Sequence, residues 1–161
     1  MSRLTLGVAF ALAVFIGTGR ADEEKVPLDK LPAKVLDAVK TKFPKADLVS
    51  ASKEKENNEI IYEVAIKDDG HKIDVSLKED GTITEYEREI KAEDLPKAAG
   101  DALKEKYGKI TYKTTEEVFK KDKLEYYEVL FETADKKWFE VEVSAEGKIL
   151  KEEEKKKKEK D

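Results

Sequence analysis

A segment of this chain occurs twice, and a duplication constrains a fold more than any single motif, because both copies must adopt one plan. Residues 31–43 lie over residues 95–107, with Leu31-Pro32 over Leu95-Pro96, Asp37-Ala38 over Asp101-Ala102, and Phe43 over Tyr107. Lysine matches count for little in a chain that is 43% charged, whereas these do not come cheaply. Further on, Tyr62-Glu63-Val64 lies over Tyr127-Glu128-Val129. Ile73, Val75, Leu77, Gly81 and Ile83 lie over Phe139, Val141, Val143, Gly147 and Ile149. The offset grows from 64 residues at Leu31/Leu95 to 66 at Ile73/Phe139, which small insertions in turns explain.

Each copy opens with an amphipathic stretch. Leu31, Val35, Ala38, Val39 and Phe43 fall on one helical stripe, as do Leu95, Ala99, Ala102, Leu103 and Tyr107. Pro32 and Pro96 suit a first helical turn, Asp29 and Asp94 the positive helix end, and Pro44 and Gly108 a helix stop. Alternating stretches follow. Ile60, Tyr62, Val64 and Ile66 form one apolar set, and Ile73, Val75 and Leu77 another. Turn signals at Asp68-Asp69-Gly70 and Glu79-Asp80-Gly81 separate them, and residues 82–87 continue. Residues 46–52 make a weaker first strand; the second copy supplies residues 110–116, 124–131, 137–144 and 148–151. The expected fold is α+β, with two tandem repeats of one helix and four antiparallel strands (α-β-β-β-β each). They should share an antiparallel sheet with the helices on one face, because a unit of about 60 residues is marginal alone.

The expected organisation is a leader over residues 1–21, repeats over 22–90 and 91–150, and a charged tail over 151–161. A basic start, an apolar run over residues 6–16 and the small pair Gly19 and Ala21 describe a secretory signal cut after Ala21. The run is too short to span a bilayer, which needs about 20 apolar residues. Without cysteine there is no lipid attachment near the cut, no disulfide and no thiolate site. The tail alternates Glu and Lys at helical spacing, so it reads as a solvated, frayed end with weak helical support.

Leu-Pro opening a short helix, Phe43-Pro44 closing it, Tyr-Glu-Val on a central strand and Asp-Gly between later strands resemble the PepSY-like domains of β-lactamase-inhibitor-like secreted proteins. The resemblance spans nearly all of the chain after the leader, twice. It implies tandem helix-plus-sheet units exported to the periplasm or beyond, and a non-catalytic protein that binds, and thereby inhibits or regulates, another protein. The second copy departs from the pattern, with Gly108 in place of the proline and residues 133–137 in place of an Asp-Gly turn. No segment matches an inhibitory loop, so β-lactamase inhibition does not carry over.

No catalytic set stands out. His71 is the only histidine and follows a turn, where it reads as a solvated loop residue. The acidic turns lack the alternating ligands of a calcium loop, and no phosphate-cradling glycine loop occurs. No enzyme activity, cofactor or metal site is expected. With 37 acidic against 32 basic residues, nucleic acid is an unsuitable partner, and no stable membrane insertion follows removal of the leader.

The duplication also assigns faces. Phe139 over Ile73 points both to the core, so Trp138, over Lys72, stays wet; Tyr127 over Tyr62 points inward, so Tyr126 points out. An exposed patch of Trp138, Tyr126 and Leu130 rimmed by Glu128, Glu140 and Glu142 is therefore the expected partner-binding face, with Ile61, Ala65, Lys72, Asp74 and Lys78 on the same face of the first copy. Single exposed apolar residues are common, so the patch matters only if it is contiguous. The alternative is an envelope protein that binds a small ligand or a divalent ion through acidic turns or a cleft between copies.

Overall fold

The computed structural model of the protein describes residues 24–56 and 58–155. The expected leader and its cleavage point lie outside the described residues, as does the tail beyond Lys155. One nine-stranded antiparallel sheet runs in strict sequence order. Its strands are β1 (Glu24–Lys25), β2 (Asp47–Glu56), β3 (Glu59–Asp68), β4 (His71–Lys78), β5 (Ile83–Glu89), β6 (Ile110–Lys120), β7 (Lys123–Thr133), β8 (Trp138–Val143) and β9 (Ile149–Lys155). Helix α1 (Ala33–Lys42) precedes β2 and α2 (Lys97–Tyr107) precedes β6. The sheet does not break in the middle: β5 pairs with β6, Tyr86 opposite Phe119 and Arg88 opposite Glu117. The class is α+β.

The helices form where the apolar stripes lie. Val35 and Val39 on α1 and Ala99 and Leu103 on α2 are fully buried. Pro32 and Pro96 sit one position earlier than expected, at the N-caps, where their carbonyls accept the first helical bonds from Leu36 and Gly100 at 3.0 Å each. Asp29 and Asp94 belong to short 3₁₀ turns, Leu28–Lys30 and Ala92–Asp94, ahead of each helix and cap neither. Gly108 ends α2 with φ of 70°, a left-handed conformation that glycine adopts without a side-chain clash.

Strand alternation sorts the sheet into two faces. Val64, Ile66, Ile73, Val75 and Leu77 pack with α1. Tyr127, Val129, Phe131, Val141 and Val143 pack with α2. Register joins the two cores on one side: Val75 faces Tyr86, Tyr86 faces Phe119, Arg88 faces Glu117, and Glu117 faces Tyr127. Both helices therefore cover the same face. Two glycines lock them there. A Cβ on Gly81 would stand 2.6 Å from the Lys34 carbonyl oxygen, and one on Gly147 would stand 2.5 Å from that of Ala98. Both positions have φ near +88°, so the turn after β4 and the turn after β8 each close onto a helix backbone that no side chain permits.

Three segments differ from the sequence reading. Residues 151–155 of the tail are neither helical nor frayed: they belong to strand β9, where Lys151 pairs with Glu142 and Lys155 with Glu140 across the ladder. Strand β6 runs on to Lys120 and meets β7 through Lys121 and Asp122, both at positive φ. A two-residue strand, β1, adds to the edge beside β2.

Candidate functional site

The face opposite the helices carries a different chemistry from the same strands. Across it run rows of directly opposed residues. One row reads Glu89, Glu116, Glu128, Glu142 and Lys151 from β5 to β9. The next reads Ala65, Asp74, Glu87, Val118 and Tyr126 from β3 to β7. A third reads Thr114, Leu130, Glu140 and Glu153. Opposed side chains sit about 5 Å apart at Cβ, and like charges so placed repel.

Register thus brings Tyr126, Leu130, Trp138, Glu128, Glu140 and Glu142 onto one face. Ala65, Asp74, Ile61 and Lys78 share it on the β3–β4 side. Their exposure differs from the expected wet patch. Tyr126 is only 8% exposed, Trp138 and Leu130 are half-buried, and the indole Nε1 of Trp138 is buried without an acceptor. The large apolar side chains exposed among the described residues are instead Val49 and Leu150. Lys113 lies 5.1 Å above the Trp138 ring and Lys120 5.2 Å above the Tyr126 ring, so each aromatic of this face already carries a cation.

The carboxylates are unusual. Glu85, Glu87 and Glu116 are each less than a tenth exposed. Burial, followed by repulsion from Glu128, Glu116, Glu85 and Asp74, pushes the Glu87 carboxyl up to about 10. Burial, then Glu128, Asp74, Glu89 and Glu140, pushes Glu116 up to about 8. Burial, then Glu140 and Glu142, pushes Glu128 up to about 8 against the pull of Lys155. Asp74 rises to about 6, again chiefly through burial, with Lys72 opposing. Burial also raises Tyr126 and Glu140, and the Lys155 ammonium draws Glu140 part of the way back. Burial and mutual repulsion therefore favour the protonated form of the central carboxyls.

The edges are neutralised differently. Glu85 pairs with Lys120 at 2.9 Å, Glu140 with Lys155 at 2.6 Å, Glu142 with Lys151 at 3.3 Å and Glu89 with Lys72 at 3.2 Å. Sequence reasoning found Glu128, Glu140 and Glu142 but missed Glu87 and Glu116. The signal was their shared parity on β5 and β6, which means little until strand register is known.

A concavity lies on the helix side, between the two cores. It has a volume of 360 Å³ and is lined by Phe43, Asp68, Asp69, His71, Tyr86, Arg88 and Phe119, among others. Phe43 meets Tyr86 edge-on at 5.5 Å, and Tyr86 stacks on Phe119 at 4.7 Å. Arg88 Nε donates to Glu117 at 2.8 Å, and His71 Nδ1 donates to the Glu89 carbonyl oxygen at 3.1 Å. Arg88 and His71 are thus engaged with groups outside the cleft lining. Among the described residues no group of three His, Cys, Asp or Glu is placed to hold a metal ion, and no helix is long and apolar enough to cross a membrane.

Comparison with known proteins places the fold. A search of curated proteins returns no match. Among solved structures, a DUF2874 family protein from Bacteroides uniformis superposes with a TM-score of 0.66 at 16% identity, covering 76% of this chain and 88% of that one. A protein from Bacteroides eggerthii, described among "putative periplasmic proteins", gives 0.66 at 12% identity, with 76% and 88% covered. A BLIP-like protein from Bacteroides fragilis gives 0.60 at 20% identity, with 75% and 84% covered. The family described as "Putative beta-lactamase-inhibitor-like, PepSY-like" matches residues 19–85 and again residues 61–151. The two matches overlap over residues 61–85. Together they span most of the sequence, and the chain belongs to this PepSY-like, β-lactamase-inhibitor-like family.

Proposed function

We propose that this is an exported, non-catalytic protein that binds a protein or peptide through the open face of its sheet. The observation that carries this reading is the arrangement of Trp138, Tyr126 and Leu130 with Glu128 and Glu140 on a face that neither helix covers. Aromatic anchors beside a polar rim are the usual composition of a binding patch. Export follows from the leader over residues 1–21, cut after Ala21 and without a lipid anchor, and accords with the periplasmic description of the Bacteroides eggerthii protein. Binding accords with the BLIP-like description of the Bacteroides fragilis protein. The duplication over residues 22–90 and 91–150 is part of the same reading, supported by the equivalent helix contacts of Gly81 and Gly147.

Capture from an envelope extract tests it. A partner retained by the wild type should be lost by Trp138→Ala and Leu130→Asp and kept by Val49→Ser, which lies on β2 away from this patch. Equal retention by all four proteins contradicts the reading. A second reading, a small ligand in the 360 Å³ cleft beside Arg88 and Phe119, predicts the opposite pattern: sensitivity to Arg88→Ala and none to Trp138→Ala.

A further inference from the structure

We propose that the cleft between the two cores binds a small zwitterion with an apolar side chain, an amino acid or a dipeptide. Its ammonium is held by Asp68, Asp69 and His71, and its carboxylate by Arg88 and Tyr86. The proposal rests on the cleft reading above, whose ligand class it names, and is independent of the open face.

The second half of the sheet shows the same place closed. Ile66 pairs with Ile73 and Ile73 with Arg88, as Phe131 pairs with Phe139 and Phe139 with Glu154. Val75 pairs with Tyr86 as Val141 does with Glu152. There the last aromatic of α2, Tyr107, lies against Phe131 at 4.9 Å and Phe139 at 5.2 Å. Its hydroxyl donates to Glu152, and Lys137 reaches Glu154 at 3.9 Å. Apolar space is filled and opposite charges meet. In the first half the corresponding aromatic is Phe43, which has no hydroxyl, and isoleucines stand for both phenylalanines. His71 and Arg88 stand where Lys137 and Glu154 do, so no ion pair closes that end. The cleft of 360 Å³ occupies this place, inside the range of about 300–1,000 Å³ usual for small-ligand pockets.

Its polar groups divide by role. Glu117 holds Arg88 from outside the lining: Nε and Nη2 both donate to its Oε2, and the Nη1 donors have no partner among the described residues. Nor does the Tyr86 hydroxyl. These donors lie on β5. His71 is fixed by its Nδ1 bond to the Glu89 carbonyl, so Nε2 of the neutral ring is an acceptor. Asp68 stands directly opposite His71. Neither Asp68 nor Asp69 has an ion pair or a hydrogen bond among the described residues. These acceptors gather at the turn between β3 and β4. Asp68 and Arg88 are two strands apart, about 10 Å between backbones, and make no ion pair with each other. Donors on one side and acceptors on the other, beside an apolar lining of Phe43, Ile73 and Phe119, match a molecule that carries both charges. A simple anion would meet the aspartates, and a simple cation would leave the Arg88 and Tyr86 donors unmet.

The test is calorimetric titration of the protein at neutral pH with L-phenylalanine, glycyl-phenylalanine, N-acetylphenylalanine and phenylalaninamide. The expected result is saturable binding of a zwitterion at least about tenfold tighter than of either singly charged analogue. The tighter of the amino acid and the dipeptide identifies the source. Arg88→Gln, and Asp68→Asn with Asp69→Asn, should each weaken binding more than about tenfold. The aspartate pair lies at a turn, and asparagine tolerates the positive φ of Asp69, so it tests the site without disturbing the pair of Arg88 with Glu117. Ile73→Phe, which copies the second half, should abolish binding, and Trp138→Ala should leave it unchanged. Equal binding of the zwitterions and the singly charged analogues, lost in Ile73→Phe, overturns the zwitterion class while the cleft reading survives. Binding unmoved by Ile73→Phe and by the aspartate substitutions overturns the proposal. No binding of any of the four at millimolar concentration overturns the proposal and the cleft reading together.

Discussion

Strand β7 shows two chemistries on one backbone. Tyr127, Val129 and Phe131 enter the core under α2, while Tyr126, Glu128 and Leu130 point to the other face. Burial is high on both sides, yet one side is aliphatic and aromatic and the other holds closely opposed acids. The helix face is built for cohesion: the largest fully buried side chains lie there, with Val118 the exception on the open face. The open face carries residues that work against stability, since directly opposed carboxylates such as Glu89, Glu116 and Glu128 repel one another. Such a cost is expected at sites kept for recognition, not folding.

The contrast can be broken from either side. The largest effect belongs to the helix face: Phe131→Ala or Leu103→Ala should cost about 3–5 kcal/mol in chemical unfolding, through lost burial and an unfilled cavity. Next comes Gly147→Ala, where a Cβ would stand 2.5 Å from the Ala98 carbonyl oxygen at positive φ. It should cost about 2–4 kcal/mol, and Gly81→Ala should match it if the two turns do the same work. The open face should respond in the opposite direction. Glu87→Gln should stabilise the protein by at least about 1 kcal/mol at pH 8 and leave it unchanged near pH 4. Smallest of all, Lys42→Ala, which removes an ion pair to the exposed Asp122, should leave the melting temperature unmoved, because surface pairs contribute little.

Much of this architecture was legible in the residues alone. Helix stripes ending at Phe43 and Tyr107, the alternation of Tyr62, Val64 and Ile66, and the glycine turns all specify local structure through side-chain period and backbone freedom. Strand β9 was legible only at its start, residues 149–151, and not in its continuation. Residues 151–155 contain no apolar alternation, and their extension depends on charge pairing with Glu140 and Glu142 one strand away. A charged outer strand also discourages further sheet growth. The turn at Lys121 and Asp122 was missed because it reaches positive φ without glycine. The acid rows were hidden for a similar reason. Glutamates are so common here that only register separates Glu87 and Glu116 from solvated neighbours, and the wetness expected of Tyr126 failed because those neighbours crowd it.

The pH dependence of stability tests the central claim most directly. A carboxyl whose folded value lies above its unfolded one stabilises the fold only while both states are protonated. Stability must therefore fall as pH climbs from the ordinary glutamate value near 4.5 towards 8 for Glu116 and Glu128 and towards 10 for Glu87. Denaturant unfolding of the wild type and of Glu87→Gln/Glu116→Gln from pH 4 to 9 should give curves that coincide at the acid end and diverge steadily, with the substituted protein the more stable. Parallel curves, or a wild type that gains stability over that range, would mean that these acids are ionised and solvated, and that the open face is an ordinary wet surface.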